Sequence, residues 1–153
     1  MSKIDKKRLL ATLRDLVQRE YDNVREAQEA AQEGATHEET RAEDPKDTRA
    51  IEAQYIARGL AERVEELQRA VQALTHLPLS LTAVIGASMG DEEKIYFLVP
   101  VAGGETIKLN GQVVQTLTPQ SPLGAQLVGK EIDDEIELQL PGRRIHGVIE
   151  WIC

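Results

Sequence analysis

The chain has 153 residues, a formal net charge of −8 at pH 7 and a single cysteine, Cys153. One cysteine excludes an internal disulfide, the acidic total gives no basis for non-specific nucleic-acid binding, and no apolar run approaches the ~18 residues of a membrane span. The first ten residues, MSKIDKKRLL, lack the apolar stretch and small-residue cleavage site of a signal peptide, so a soluble cytoplasmic protein with no membrane contact is expected.

Composition divides the chain near His76-Leu77-Pro78. Residues 77–153 hold nine of the eleven glycines and five of the six prolines, whereas residues 1–76 are rich in Arg, Glu, Gln and Ala. Two domains are expected, a helical one over 1–76 and a β-rich one over 77–153. Charge is uneven within the first. Residues 1–25 carry seven basic and four acidic side chains, residues 26–47 two basic and eight acidic.

The first segment places Leu10, Leu13, Val17, Val24, Ala27 and Ala31 at 3,4 spacing with one gap at Glu20-Tyr21. The second places Ala50, Ala53, Ala57, Leu60, Val64, Leu67, Val71 and Leu74 at the same spacing without a break, the seam of a coiled coil. Folded back antiparallel, the seams pair Leu10 with Leu74, Leu13 with Val71, Val17 with Leu67, Val24 with Leu60, Ala27 with Ala57 and Ala31 with Ala53. The two numbers in every pair add to 84, which centres the turn on residue 42. At about 1.5 Å per residue, arms of roughly 30 residues reach about 45 Å. The same pattern also suits a helical hairpin that dimerises or packs on its own domain.

The second half reads as strands over Thr82–Ile85, Lys94–Val99, Thr106–Leu109 and Val113–Leu117, with Asn110-Gly111 as a hairpin turn. One short helix is expected over Pro122–Val128. Glu135–Leu140 and Ile145–Ile152 then form a last hairpin across Pro141-Gly142. The expected fold class is α+β: an N-terminal antiparallel coiled-coil hairpin and a small antiparallel sheet with one short helix.

The stretch EDPKD, residues 43–47, raises the chemical question. Asp44-Pro45-Lys46-Asp47 reads as a helix start, with an N-cap Asp, a proline at the first helical position and an acid near the positive end of the dipole. Glu38, Glu39 and Glu43 crowd the same turn. Two unit charges 6 Å apart repel by roughly 0.7 kcal/mol in water and by nearly 3 kcal/mol at an effective dielectric of 20. Such a cluster is tolerable in solvent and costly in a confined site without a cation. Carboxylates and water suit Mg²⁺. Helix capping and metal assistance both remain open on these grounds. His37, His76 and His146 are too scattered for a histidine metal site, and Ser121 lacks a nucleophile context.

The segment SPLGAQLVGKEIDDEIELQLPGRRIHGVIEWI, following a long helical hairpin with an acidic tip, resembles the GreA/GreB family of bacterial transcription elongation factors. It is similar to the family pattern SP-x-x-x-x-L-x-GK-x-x-GD-x-V-x-V-x-x-P-G. The resemblance implies an FKBP-like fold for residues 77–153, docking at the rim of the secondary channel of RNA polymerase, and insertion of the hairpin into that channel. It further implies that tip carboxylates reach the polymerase active site, help hold the second Mg²⁺ and orient a water that cleaves backtracked RNA. The family tip, G-D-L-x-E-N-A-E-Y, is matched by Glu43–Ile51: Asp44 stands at the family Asp and Asp47 at the family Glu, while Pro45, Thr48 and Ile51 depart from the pattern.

On this resemblance Asp44 and Asp47 are the catalytic and Mg²⁺-sharing candidates. Ser121, Pro122, Leu123 and Gly124, with Arg143 and Arg144 of the last hairpin, are the partner-binding candidates. No cofactor is bound by the chain alone, Mg²⁺ being shared with RNA polymerase. The expected partners are RNA polymerase and the nascent RNA 3′ end, with weak further DNA or RNA contact through the basic residues Lys3, Lys6, Lys7, Arg8, Arg14, Arg19 and Arg25. The chain is expected to be monomeric and to be an accessory factor, not an enzyme. Two alternatives differ in kind: a channel-binding regulator without cleavage activity, and a coiled-coil structural adaptor. An FKBP-like fold does not by itself carry prolyl isomerase activity.

Overall fold

The structure is a computed structural model; it describes residues 4–41 and 48–153, with side chains for 4–34 and 49–153. The elements run α1 (Lys6–Arg41), α2 (Thr48–Thr75), a 3-10 turn (Leu79–Leu81), β1 (Ala83–Met89), β2 (Glu92–Leu98), β3 (Thr106–Leu109), β4 (Gln112–Leu117), α3 (Pro122–Leu127), β5 (Glu135–Leu140) and β6 (Arg143–Ile152). The α+β class is as expected: two long packed helices, then a six-stranded sheet with one short helix. Two compact units result, Arg14–Thr75 and the chain up to Leu13 together with His76–Cys153.

In the helical unit the seam of α2 is half-buried or buried at Ala50, Ala53, Ala57, Leu60, Val64, Leu67, Val71 and Leu74, as its spacing requires. Val17 and Leu67, a pair matched by the sequence register, are 2% and 4% exposed. Arg63 reaches Glu20 on α1 at 2.7 Å and Glu66 on its own helix at 2.8 Å. The numbers of the cross-helix pair add to 83, within one residue of the sequence register. Half-exposed as they are, these ions contribute about 1 kcal/mol or less, so they set register more than stability. Arg14 donates from Nε to Leu74 O at 2.6 Å and from Nη2 to Thr75 O at 3.4 Å. It thereby satisfies carbonyls that the end of α2 leaves without intrahelical donors and places a cation at the negative end of the dipole. One seam position differs from expectation: Ala27 is exposed and Gln28 is half-buried in its place. Val24 before it and Ala31 after it are half-buried, so the seam skips this one position and resumes.

In the other unit the strand order is β3-β4-β2-β1-β6-β5. The sheet, expected to be antiparallel, is mixed, because β2 and β4 pair in parallel with Tyr96 opposite Gln115. The reason lies in the Val99–Glu105 connection, which carries the chain past the place of β4 and sets β3 at the edge. Ala102 (φ 64°) and Gly104 (φ 83°) turn this loop. The buried Thr116 hydroxyl pins it, donating to Ala102 O at 2.6 Å and accepting from Glu105 N at 2.8 Å. The Asn110-Gly111 turn forms as read, with both residues at positive φ (51° and 77°) as a type I′ hairpin demands.

Each sheet face buries a core. On one, Ile85, Ala87, Tyr96, Leu117, Ile136 and Ile149 pack with Leu123 and Leu127 of α3. On the other, Val84, Ile95, Phe97, Ile107 and Val114 are buried, as are Ile4, Leu9, Leu10 and Leu13 of the same unit. Asp5 starts α1, its Oδ1 accepting from Lys7 N at 3.0 Å and Arg8 N at 3.3 Å, and Lys6 Nζ donates to Thr82 O at 3.1 Å. β1 extends to Met89, beyond its expected end at Ile85, because its small residues admit large neighbours. A Cβ on Gly86 would lie 2.1 Å from the Trp151 ring, so only glycine lets the indole lie over β1. A register shift between Gly86 and Ala87 in the β1–β6 pairing accompanies this contact.

Candidate functional site

The acidic turn falls between the two hairpin helices. Asp44 and Asp47, with Glu43, Pro45 and Lys46, lie outside the described residues, as do the side chains of His37, Glu38 and Glu39. Among the described residues no group of three or more His, Cys, Asp or Glu side chains is placed to hold a metal ion. Nor, among the described residues, is any helix long and apolar enough to cross a membrane.

The motif segment is fully described, and several of its residues have a geometric reason. Ser121 is the N-cap of α3: its Oγ accepts from Gly124 N at 3.1 Å and donates to Thr118 O at 2.7 Å. Pro122 follows at the first helical position, where no N–H is needed. Leu123 enters the core at 7% exposure. Gly124 passes so close to the preceding loop that a Cβ there would lie 1.9 Å from Thr118 O. Gly129, at φ 77°, ends the helix in the left-handed region after Val128 N bonds Gly124 O. Asp134 then closes the next turn, Oδ2 accepting from Glu131 N at 2.7 Å. Where the family pattern has glycine this chain has Asp133, and its φ is 73°, a conformation Asp tolerates at some cost.

Gln126 joins this helix to the edge of the sheet. Its amide donates to Glu137 O at 2.5 Å and accepts from Glu137 N at 2.9 Å. A side chain thus takes the place of a neighbouring strand at the middle of β5, one of the two edge strands, and blunts it against pairing with another chain.

Of the partner-binding candidates, then, Leu123 and Gly124 are buried, Ser121 is half-buried and Pro122 is exposed. Arg144 is engaged within its own hairpin, with Nε 2.9 Å from Gln139 Oε1 and 3.4 Å from Glu137 Oε1. Arg143 is exposed and close enough to Glu92 to favour its charged form. The Glu92 carboxyl is held below the ordinary carboxylate range chiefly by the hydrogen bond and charge of Lys94, 2.6 Å away, with Arg143 a lesser cause. The sequence reading missed Val128 and Ile132, which lie within the same motif and are 55% and 53% exposed. Two apolar residues in a loop were the available signal.

A cleft of about 340 Å³ opens over β2, β3 and β4, with Tyr96 and Val113 beside Lys94, Thr106, Gln112 and Gln115. Burial pushes the Tyr96 phenol above its usual range. None of the sequence-predicted site residues lines it.

No protein-family model matches the chain, and no curated protein does. Among solved structures it is similar to Gfh1 of Thermus aquaticus, at 16% identity and a TM-score of 0.37 over 90% of this chain and 92% of that one. A structure of GreA factor homolog 1 (Gfh1) of Thermus thermophilus is similar at the same identity and TM-score, over 92% of this chain and 94% of that one.

Proposed function

We propose that this chain is a Gre-type accessory factor of transcription. It binds RNA polymerase through the sheet unit, places the helical hairpin in the secondary channel and promotes Mg²⁺-dependent cleavage of backtracked RNA. The observation that carries the reading is the segment from Ser121 to Gly142. It resembles the family pattern, and in its fold Ser121, Pro122, Gly129 and Asp134, which the pattern specifies, occupy positions that suit those residue types. The hairpin supports it further, since Val17 and Leu67 are buried within one chain and its seam needs no second copy, which disfavours the adaptor reading.

In this reading Asp44 and Asp47 supply carboxylates to a site that belongs to the polymerase, and the chain alone is no nuclease. The two carboxylates would help hold a Mg²⁺ shared with the polymerase, which would supply Lewis-acid assistance to the displacement. A second reading, occupation of the channel without cleavage, is favoured by the tip itself: Asp47 is one methylene shorter than the family Glu, and Pro45 stiffens the turn.

The test is a stalled, backtracked elongation complex carrying labelled RNA, with Mg²⁺, incubated with and without the protein. Shortening from the 3′ end is expected with the wild-type chain and is expected to vanish with Asp44→Asn/Asp47→Asn, while polymerase binding persists. Binding without shortening selects the regulator. Equal shortening by the double variant removes both carboxylates from the mechanism.

A further inference from the structure

The sheet face that packs on α3 is covered over only part of its width. Ile85 and Ala87 of β1, Ile149 of β6 and Ile136 of β5 cluster with Leu123 and Leu127. Toward the β3 edge the cleft of about 340 Å³ stays open. Strand register lays out its floor. Tyr96 stands opposite Gln115, and Gln115 opposite Thr106, so these three side chains form a row across β2, β4 and β3. Val113, two residues before Gln115, shares that face and is 55% exposed.

The row is polar and unpaired. Tyr96 is 4% exposed, yet its hydroxyl makes no hydrogen bond among the described residues. A buried tyrosine ordinarily finds a partner for its O–H. Among the described residues no side-chain oxygen that is sealed from solvent lacks a partner, so the phenol oxygen is the open end of this side chain, and the cavity it lines is the cleft. The Gln115 carboxamide and the Thr106 hydroxyl are likewise without hydrogen bonds among the described residues.

The groups around the cleft select what can fill it. Lys94, the one cation among its lining residues, is held by Glu92 at 2.6 Å, and the Glu93 carboxylate lines the same cleft, so a phosphate or carboxylate finds no free counter-charge there. The one aromatic ring, that of Tyr96, is buried and offers no face on which a nucleobase or sugar could stack. What remains is a set of uncharged groups that both donate and accept, beside an apolar side chain. A peptide unit presents the complementary pair, one N–H and one C=O. The chain already shows a glutamine reading that pair, since Gln126 donates to Glu137 O and accepts from Glu137 N on the edge strand β5. Length agrees as well. At about 4.8 Å between strands the row is about 10 Å wide, and three residues of extended chain at about 3.3 Å each span the same distance.

We infer that this cleft is a binding site for a short extended peptide, whose backbone amides are read by Tyr96, Gln115 and Thr106 and one of whose apolar side chains rests on Val113. The inference makes no use of the function proposed above, and the site shares no lining residue with the motif segment.

The experiment selects a display library of random heptapeptides on the full chain, makes the selected sequences with acetylated and amidated ends, and titrates them into isotope-labelled protein followed by NMR. Tyr96→Phe removes the hydroxyl and keeps the ring, and Gln115→Leu removes the carboxamide and keeps the length; either gives the reading should the other fail to fold. The expected result is a set of shifts centred on Tyr96, Thr106, Val113 and Gln115, with binding about three- to tenfold weaker in each variant. The melting temperature of Tyr96→Phe should match wild type, because the hydroxyl has no partner within the fold; a fall of more than about 3 °C overturns the free hydroxyl and the inference with it. Absence of any selected peptide that shifts these residues, or equal binding by both variants, overturns the site. Uridine and methyl glucoside, titrated in parallel, should leave the spectrum unchanged. Tighter binding of either at the same residues reassigns the cleft to a ring-bearing ligand and overturns the inference as well.

Discussion

Replacing Gly124 by alanine tests whether the motif segment is shaped by the approach of α3 to the loop before it. The added Cβ would lie 1.9 Å from Thr118 O and 2.6 Å from Ser121 Oγ. To reach an ordinary contact of 3.4 Å the helix must retreat by about 1.5 Å. Backbone stands on one side of this contact and a core on the other, since Leu123 and Leu127 of α3 are 7% and 3% exposed. Overpacking that the structure absorbs costs about 1–3 kcal/mol. Undocking the helix instead forfeits about 1.5–3 kcal/mol for each leucine, and distorting the Ser121 cap adds about 1 kcal/mol. A loss of about 3 kcal/mol is therefore expected, read as a lower midpoint in urea unfolding of the sheet unit, with polymerase affinity falling alongside. Stability within about 1 kcal/mol of wild type would refute the reasoning, because it would mean that α3 can move without cost and that the glycine is incidental.

Gln126→Ala removes both hydrogen bonds to the backbone of Glu137 and should cost about 1–2 kcal/mol in urea unfolding. It should also raise self-association, seen by light scattering, because β5 then presents an unpaired edge. Asp133→Gly relieves a positive φ at a non-glycine residue and should stabilise the sheet unit by about 0.5–1 kcal/mol, read as a higher melting temperature.

Much of this was legible in the residues themselves, and the exceptions have physical causes. The hairpin register could be read because alanine and leucine recur at 3,4 spacing in both helices, and the Glu20–Arg63 pair falls one residue from the expected alignment. The strands from Thr106 to Leu117 were legible because Asn110-Gly111 is a local turn signal and β-branched residues flank it. The parallel pairing of β2 with β4 was not, since it depends on which of two hairpin strands lies inward, and that is settled by the Thr116 hydroxyl and two positive φ angles in a distant loop. The far end of β1 was hidden because Gly86, Ala87 and Ser88 have little strand propensity of their own; packing against Trp151 and pairing on both sides hold them extended. Within the motif, sequence identified the segment but not its internal division, in which Ser121 and Gly124 shape the helix, Leu123 fills the core and Pro122, Val128 and Ile132 face solvent.

The indole lying over Gly86 has a practical consequence. Trp151 is the single tryptophan of the chain, and it sits in the sheet unit, while the helical unit holds only Tyr21 and Tyr55 among its aromatics. Emission excited at the red edge therefore reports on one unit alone, and far-ultraviolet ellipticity is dominated by the other. A titration followed by both signals resolves whether the protein melts once or twice, with no label and no engineered probe.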